Sequence, residues 1–110
     1  MTDLISVLAP TRGRPAALQE MADSVFRTAE NVEVLAYVDD DDPADYSNIE
    51  GVRIITGPRV TLSDCWNRLA AEADGTILGM GSDDIRYRTP GWDTSVRAVI
   101  NSFTDRIVFV

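Results

Sequence analysis

Four short clusters of Asp and Arg are the parts of this sequence best equipped for chemistry. They occupy residues 11–14 (Thr-Arg-Gly-Arg), 39–42 (four Asp), 57–59 (Gly-Pro-Arg) and 82–84 (Ser-Asp-Asp). Paired carboxylates can hold a divalent cation and leave coordination positions open for phosphate oxygens. The planar guanidinium of Arg matches the oxygens of a diphosphate. Together these residue types could bind a metal-bridged nucleoside diphosphate, with the remaining Asp side chains accepting hydrogen bonds from ribose hydroxyls or a base N–H.

The basic residues restrict the chemistry further. The chain has 110 residues, 10 basic and 18 acidic side chains and a net charge of −8, and every basic residue is Arg. Without His or Lys there can be no His base, no Ser–His or Cys–His nucleophile pair, no Schiff base and no Walker A Lys. The acidic balance argues against nucleic acid or an anionic membrane as the main partner.

The apolar pattern predicts the elements that position these clusters. Nearly continuous apolar runs indicate buried strands at 4–9, 32–38, 52–56, 76–81 and 106–110. Helical spacing begins after Pro15, Thr61 and Pro90, and Gly75 is a candidate C-cap of the second helix. Strands that alternate with amphipathic helices predict one α/β domain over 1–110. It would have three layers, with helices flanking a mostly parallel sheet of about five strands.

Each polar cluster directly follows a predicted strand. The carboxyl ends of parallel strands lie along one edge of a sheet, where ligands bind at the point of strand-order reversal. We therefore expect the four loops to meet in one cleft. Simpler interpretations stay open, because Asp39 to Asp42 could be a solvated turn before Pro43, and the Arg side chains could pair with that acidic run.

The remaining sequence features concern compartment. No apolar run approaches the ~18 residues of a membrane span, and the N-terminus lacks the features of a signal peptide. Cys65 is the one cysteine, so no internal disulfide can form, and we expect it to be a buried small apolar residue. These features predict a cytoplasmic protein.

The ordered set of motifs resembles the family 2 glycosyltransferases of the GT-A fold. The matching stretches are 5–15 (Ile-Ser-Val-Leu-Ala-Pro-Thr-Arg-Gly-Arg-Pro) with Ser24, 37–40 (Tyr-Val-Asp-Asp), Asn67 with 70–78, and 82–84. The last stretch stands at the family's Asp-x-Asp motif and reads Ser-Asp-Asp. The resemblance implies the Rossmann-like, N-terminal nucleotide-sugar-binding half of such an enzyme. Because family catalytic domains are longer, we expect a truncated or minimal version.

The resemblance also implies roles for individual residues. Asp39 would contact the base and Asp83 the ribose, while Asp84, with Asp83, would ligate Mn²⁺ or Mg²⁺ on the diphosphate. The metal would stabilise the departing nucleoside diphosphate as a Lewis acid. The other donor-binding candidates are Pro10, Thr11, Arg14, Asp41 and Arg59.

Three functions are open at this point. The first is glycosyl transfer from a nucleoside-diphosphate sugar to an unknown acceptor, with Trp92 and Asp93 considered for the sugar side and no catalytic base assigned. The second is a non-catalytic binding or self-assembly module on the same fold, in which an exposed sheet edge favours a homo-oligomer. A nucleotidyltransferase is disfavoured, because the turn at 11–15 has one Gly and such enzymes generally bring a Gly-rich triphosphate loop.

Overall fold

The computed structural model of the chain describes residues 3–102. These residues form four strands and three helices. The strands are β1 (Ile5–Thr11), β2 (Val32–Asp39), β3 (Val52–Gly57) and β4 (Ile77–Met80). The helices are α1 (Pro15–Thr28), α2 (Leu62–Glu72) and α3 (Trp92–Asn101). The fifth strand predicted at 106–110 lies outside the described residues.

All four strands pair in parallel, in the order β3-β2-β1-β4. The chain moves outward from β1 through β2 to β3 and then crosses back to place β4 on the other side of β1. Strand order therefore reverses beside β1, and all four carboxyl ends share one edge, called here the carboxyl edge. The opposite edge, where the strands begin, is called the amino edge.

The two faces of the sheet are covered by different helices. On β1, Ile5, Val7 and Ala9 face a core that includes α1 and the apolar side of α3. The alternate residue Leu8 faces α2, where Cys65 and its neighbours form a second core. This alternation is the period of two expected of a strand that is buried on both faces. The predicted three-layer α/β fold is confirmed, and so is the burial of Cys65.

The second helix begins as predicted and ends earlier. The Thr61 side chain accepts a hydrogen bond from the Asp64 amide at 3.2 Å, which caps the first turn of α2. The expected C-cap at Gly75 is wrong, because α2 ends at Glu72 with an extended Ala73 as its cap. Gly75 instead passes so close to β1 that an added Cβ would lie 2.3 Å from the Ser6 Oγ.

A buried ion pair holds α3 against the amino edge. Asp93 Oδ2 lies 2.6 Å from Arg97 Nη1, and Arg97 also donates to the carbonyls of Asp3, Glu30 and Asn31. Residues 30 and 31 immediately precede β2, so this pair lies at the edge opposite the predicted cleft. Asp93 is therefore a structural residue in this arrangement, and the sugar-side position considered for it from the sequence is wrong.

Candidate functional site

A cavity of about 280 Å³ lies at the carboxyl edge of the sheet. The ends of β1 and β2 and the loops after β3 and β4 contribute to its lining. Six of the predicted site residues line it: Pro10, Thr11, Arg14, Asp39, Arg59 and Asp83. Asp41 and Asp84 lie in the loops after β2 and β4, close in sequence to Asp39 and Asp83, but do not line the cavity. We call this cavity the cleft.

Thr11 and Asp83 connect the end of β1 to the loop after β4, at the point of strand-order reversal. The Thr11 hydroxyl donates to Asp83 Oδ2 at 2.7 Å, and both residues are buried. Arg14 Nε lies 3.8 Å from the same carboxylate oxygen. Because Thr11 is the last residue of β1 and Asp83 follows β4, this hydrogen bond holds the two sides of the cleft at a defined separation.

Arg12 links the first loop to the acidic run. Its Nη1 lies 3.0 Å from Asp39 Oδ2 and 2.8 Å from Asp41 Oδ1. The hydrogen bond from Arg12 lowers the pKa of Asp41, and the bonds to Asp41 and then Asp39 raise the pKa of Arg12. Asp41 thus points to Arg12 at the rim of the cleft, whereas Asp39 both holds Arg12 and lines the cleft.

Tyr46 supports the site and was not singled out from the sequence, whereas Asp42 belongs to the acidic run that was. Asp42 accepts hydrogen bonds from the amides of Gly13 and Ala44 and from the Tyr46 hydroxyl, at 2.8–2.9 Å. Burial alone would raise the pKa of Asp42, but the bonds from Ala44, Gly13 and Tyr46 outweigh it and leave this pKa lowered. An Asp whose side chain accepts from the amide two residues later is typical of a turn, and a turn is the simpler interpretation that the sequence left open for this run.

Tyr37 positions the loop that carries Arg59. Its hydroxyl donates to the Pro58 carbonyl at 2.6 Å. An added Cβ at Gly57 would lie 2.5 Å from the same hydroxyl, so only glycine lets the strand pass this close. The burial of Tyr37 and the packing of Gly57 therefore set where Arg59 enters the cleft.

Asp84 lies on the exposed side of its loop. The Ser82 hydroxyl donates to Asp84 Oδ1 at 2.5 Å, and this hydrogen bond lowers the pKa of Asp84. Among residues 3–102 no group of three or more His, Cys, Asp or Glu side chains could hold a metal ion by itself. Asp84 is therefore an ionised, accessible carboxylate beside the cleft rather than part of a preformed metal cage.

The charge lining the cleft differs from that of the whole chain. Arg12, Arg14 and Arg59 line it against two carboxylates, Asp39 and Asp83, although the chain carries a net charge of −8. The acidic run does not repel anions from this edge as strongly as its sequence indicates, because Arg12 and backbone amides occupy much of it. An anion with several oxygens, such as a diphosphate, would find guanidinium donors there.

Comparison with known proteins shows the fold. No protein-family profile matches this chain, and no curated protein matches it. Solved structures do match, including the mannosyltransferase PcManGT from Pyrobaculum calidifontis in complex with GDP-Man and Mn²⁺. The TM-score is 0.67 at 17% identity, and the match covers 90% of this chain and 32% of that chain. The chain thus has a glycosyltransferase-like α/β fold and spans about a third of that enzyme's length, while its assignment to family 2 stays a prediction.

Within residues 3–102, no helix combines the length and the apolar character needed to cross a bilayer.

Proposed function

We propose that this chain binds a nucleoside-diphosphate sugar in the cleft, as the donor-binding part of a glycosyltransferase. The observation that carries the proposal is the lining of the cleft, in which three guanidinium groups and two carboxylates meet at the point of strand-order reversal. Guanidinium groups suit the diphosphate, and carboxylates suit the N–H and O–H donors of a nucleoside. The likeness to a mannosyltransferase solved with GDP-Man and Mn²⁺ supports the same proposal.

Some residues that line the cleft would contact the nucleoside of such a ligand, and others would contact its diphosphate. Asp39 would accept from the base, since it lines the cleft beside β3. Asp83, which lies across the cleft and is already held by Thr11, would accept from a ribose hydroxyl. Arg59 and Arg14 would bind the diphosphate oxygens. Pro10 would pack against the nucleoside.

Asp84 and Asp83 fit a divalent cation that arrives with the diphosphate. Mg²⁺ is commonly held by one or two carboxylates together with substrate phosphates, so a complete protein cage is not required. The lowered pKa of Asp84, caused by the Ser82 hydrogen bond, keeps this carboxylate ionised. When bound, Mn²⁺ or Mg²⁺ would supply Lewis-acid stabilisation of the departing nucleoside diphosphate.

Thermal unfolding with added nucleotides tests the proposal. UDP, GDP, ADP and dTDP would each be added with Mn²⁺, and at least one is expected to raise the Tm. A ligand at 100 times its Kd adds about 2.7 kcal/mol to the stability of the folded state. The proposal fails if none of the four raises the Tm.

A pair of matched variants locates the effect. Asp84→Asn is expected to abolish the shift that depends on Mn²⁺. Asp40→Asn removes a carboxylate that is also exposed but does not line the cleft, so its shift should equal that of the parent protein. Equal losses in both variants would indicate a general effect of charge rather than a site.

Self-association on the same fold is the second candidate function. β4 is an outer strand of the described sheet, and its side chains Leu78 and Met80 are 47% and 68% exposed. Exposed apolar residues on an edge strand favour pairing between chains. Light scattering that finds a stable oligomer, together with no nucleotide effect on the Tm, would favour this function over donor binding.

A further inference from the structure

The distribution of ion pairs among the Arg side chains points to a second binding site. Of the Arg residues in 3–102, five take part in ion pairs: Arg12, Arg14, Arg53, Arg86 and Arg97. The others are Arg27, Arg59, Arg68 and Arg88, which have no carboxylate partner within 4.0 Å among those residues. Arg59 lines the cleft, whereas Arg27 and Arg88 line one other cavity together.

That cavity has a volume of about 330 Å³ and lies between α1 and residues 86–88. Its two carboxylates are already engaged by other side chains. Glu20 is held by Arg86 at 2.8 Å, and Asp23 accepts from the Gln19 side chain at 3.0 Å. Gln19 is neutral and leaves the charge of Asp23 in place. Outside the Arg86–Glu20 pair, the lining therefore carries two exposed guanidinium groups, Arg27 and Arg88, and one carboxylate, Asp23.

Two hydrogen bonds fix the segment that carries Arg88. The Tyr87 amide donates to the Ser24 hydroxyl at 3.0 Å, which ties the segment to α1. Arg86 donates to the Asp83 carbonyl at 2.7 Å. These two hydrogen bonds hold the backbone next to Arg88 against α1, the helix that carries Arg27.

We infer that Arg27 and Arg88 form a binding site for a phosphoryl group. Outside the Arg86–Glu20 pair, the two guanidinium groups exceed the carboxylate of Asp23 by one positive charge, and an oxyanion that contacts both of them would be attracted to this lining. Guanidinium groups bind phosphate oxygens through parallel hydrogen bonds. No residue that lines the cleft also lines this cavity, so the inference goes beyond the proposed donor site and does not depend on it.

Amide chemical shifts of the whole chain, followed by NMR, test the inference. The probes are inorganic phosphate, glycerol phosphate and acetate, each at constant ionic strength. Phosphate or glycerol phosphate should shift the amides of Ser24 and Tyr87 in a saturable way, and acetate should not. If only inorganic phosphate saturates, the ligand is the free ion, and if glycerol phosphate also saturates, the site takes phosphate esters. Equal shifts with acetate, or no saturation with either phosphate, would overturn the inference.

Single substitutions give the matched comparison. Arg27→Gln and Arg88→Gln should each weaken phosphate binding about tenfold, the effect of losing one charged hydrogen bond. Arg68→Gln removes an exposed Arg that does not line this cavity and should leave the affinity unchanged. Arg59→Gln should also leave it unchanged while weakening nucleotide binding, so failure of this site and failure of the donor site are separable. If Arg68→Gln weakens phosphate binding as much as Arg27→Gln, the inference is wrong.

Discussion

Replacing Asp93 by Ala should destabilise the fold strongly, because it leaves the Arg97 guanidinium buried without its counter-charge. The side chains of Asp93 and Arg97 are 5% and 10% exposed, with 2.6 Å between Oδ2 and Nη1. Arg97 also donates to three backbone carbonyls, so it cannot turn to solvent without breaking those hydrogen bonds. Removing one partner of a buried pair costs about 3–5 kcal/mol, out of a total stability of about 5–15 kcal/mol for a typical protein.

Urea unfolding at pH 7 measures this cost. Asp74→Ala is the control, since Asp74 is 70% exposed and its pair with Arg53 at 3.3 Å should contribute less than about 1 kcal/mol. Combining Asp93→Ala with Arg97→Met should recover part of the loss, because it removes the unpaired charge. The reasoning is refuted if Asp93→Ala costs no more than Asp74→Ala.

Acid unfolding gives an independent measure of the stabilisation that the Asp93–Arg97 pair contributes. Burial raises the pKa of Asp93, but hydrogen bonds from Arg97 and the Glu30 amide outweigh it, so the folded-state pKa lies below the ordinary 3.8. The stabilisation is therefore fully present above about pH 3.8 and is lost as the pH falls through the lower folded-state value. Asp93→Asn should flatten this part of the pH profile. Because Asp93 lies at the amino edge, the folded Asp93→Asn variant should bind nucleotide with the same affinity as the parent protein.

Four further substitutions have defined outcomes. Gly75→Ala should lower the free energy of unfolding by at least about 1–3 kcal/mol, because its Cβ would overlap β1. Gly79→Ala, whose Cβ would meet nothing closer than 3.8 Å, should cost less in the same urea titration. Arg12→Ala should raise the pKa of Asp41 toward its ordinary value in an NMR titration, and an unchanged value would contradict the Arg12 contact. Tyr37→Phe should cost about 1 kcal/mol in urea and weaken nucleotide binding, because the loop that carries Arg59 loses its hydrogen bond.

The fold was predictable because local signals and the overall topology agree. Apolar runs with β-branched residues marked the strands, and Thr61 with Asp64 marked the start of α2. Gly75 was misinterpreted because a glycine after a helix has two explanations, a cap or a close approach, and only the position of β1 distinguishes them. Asp93 was misinterpreted because the edge of the sheet at which α3 begins depends on packing rather than on the residues near it in sequence.

The candidate site was predictable at the level of loops but not of contacts. Parallel strands oblige the loops after them to share an edge, and therefore Asp39, Arg59 and Asp83 meet in one cleft. The pairing of Arg12 with the acidic run could not be chosen over solvent exposure or metal binding, because all three are compatible with the same residue types. Distances between side chains on different loops decide among them.

By itself, the sequence determined the α/β layers, the edge at which polar loops gather and the chemistry that the chain lacks without His and Lys. These properties follow from residue type and from periodicity along the chain, which are local. Only the tertiary structure decided that Asp42 holds the first loop, that Asp93 anchors α3, and that Arg27 and Arg88 line one cavity. Each of these depends on residues at least 29 positions apart or on the placement of a helix against the sheet, which is set by the packing of the whole domain.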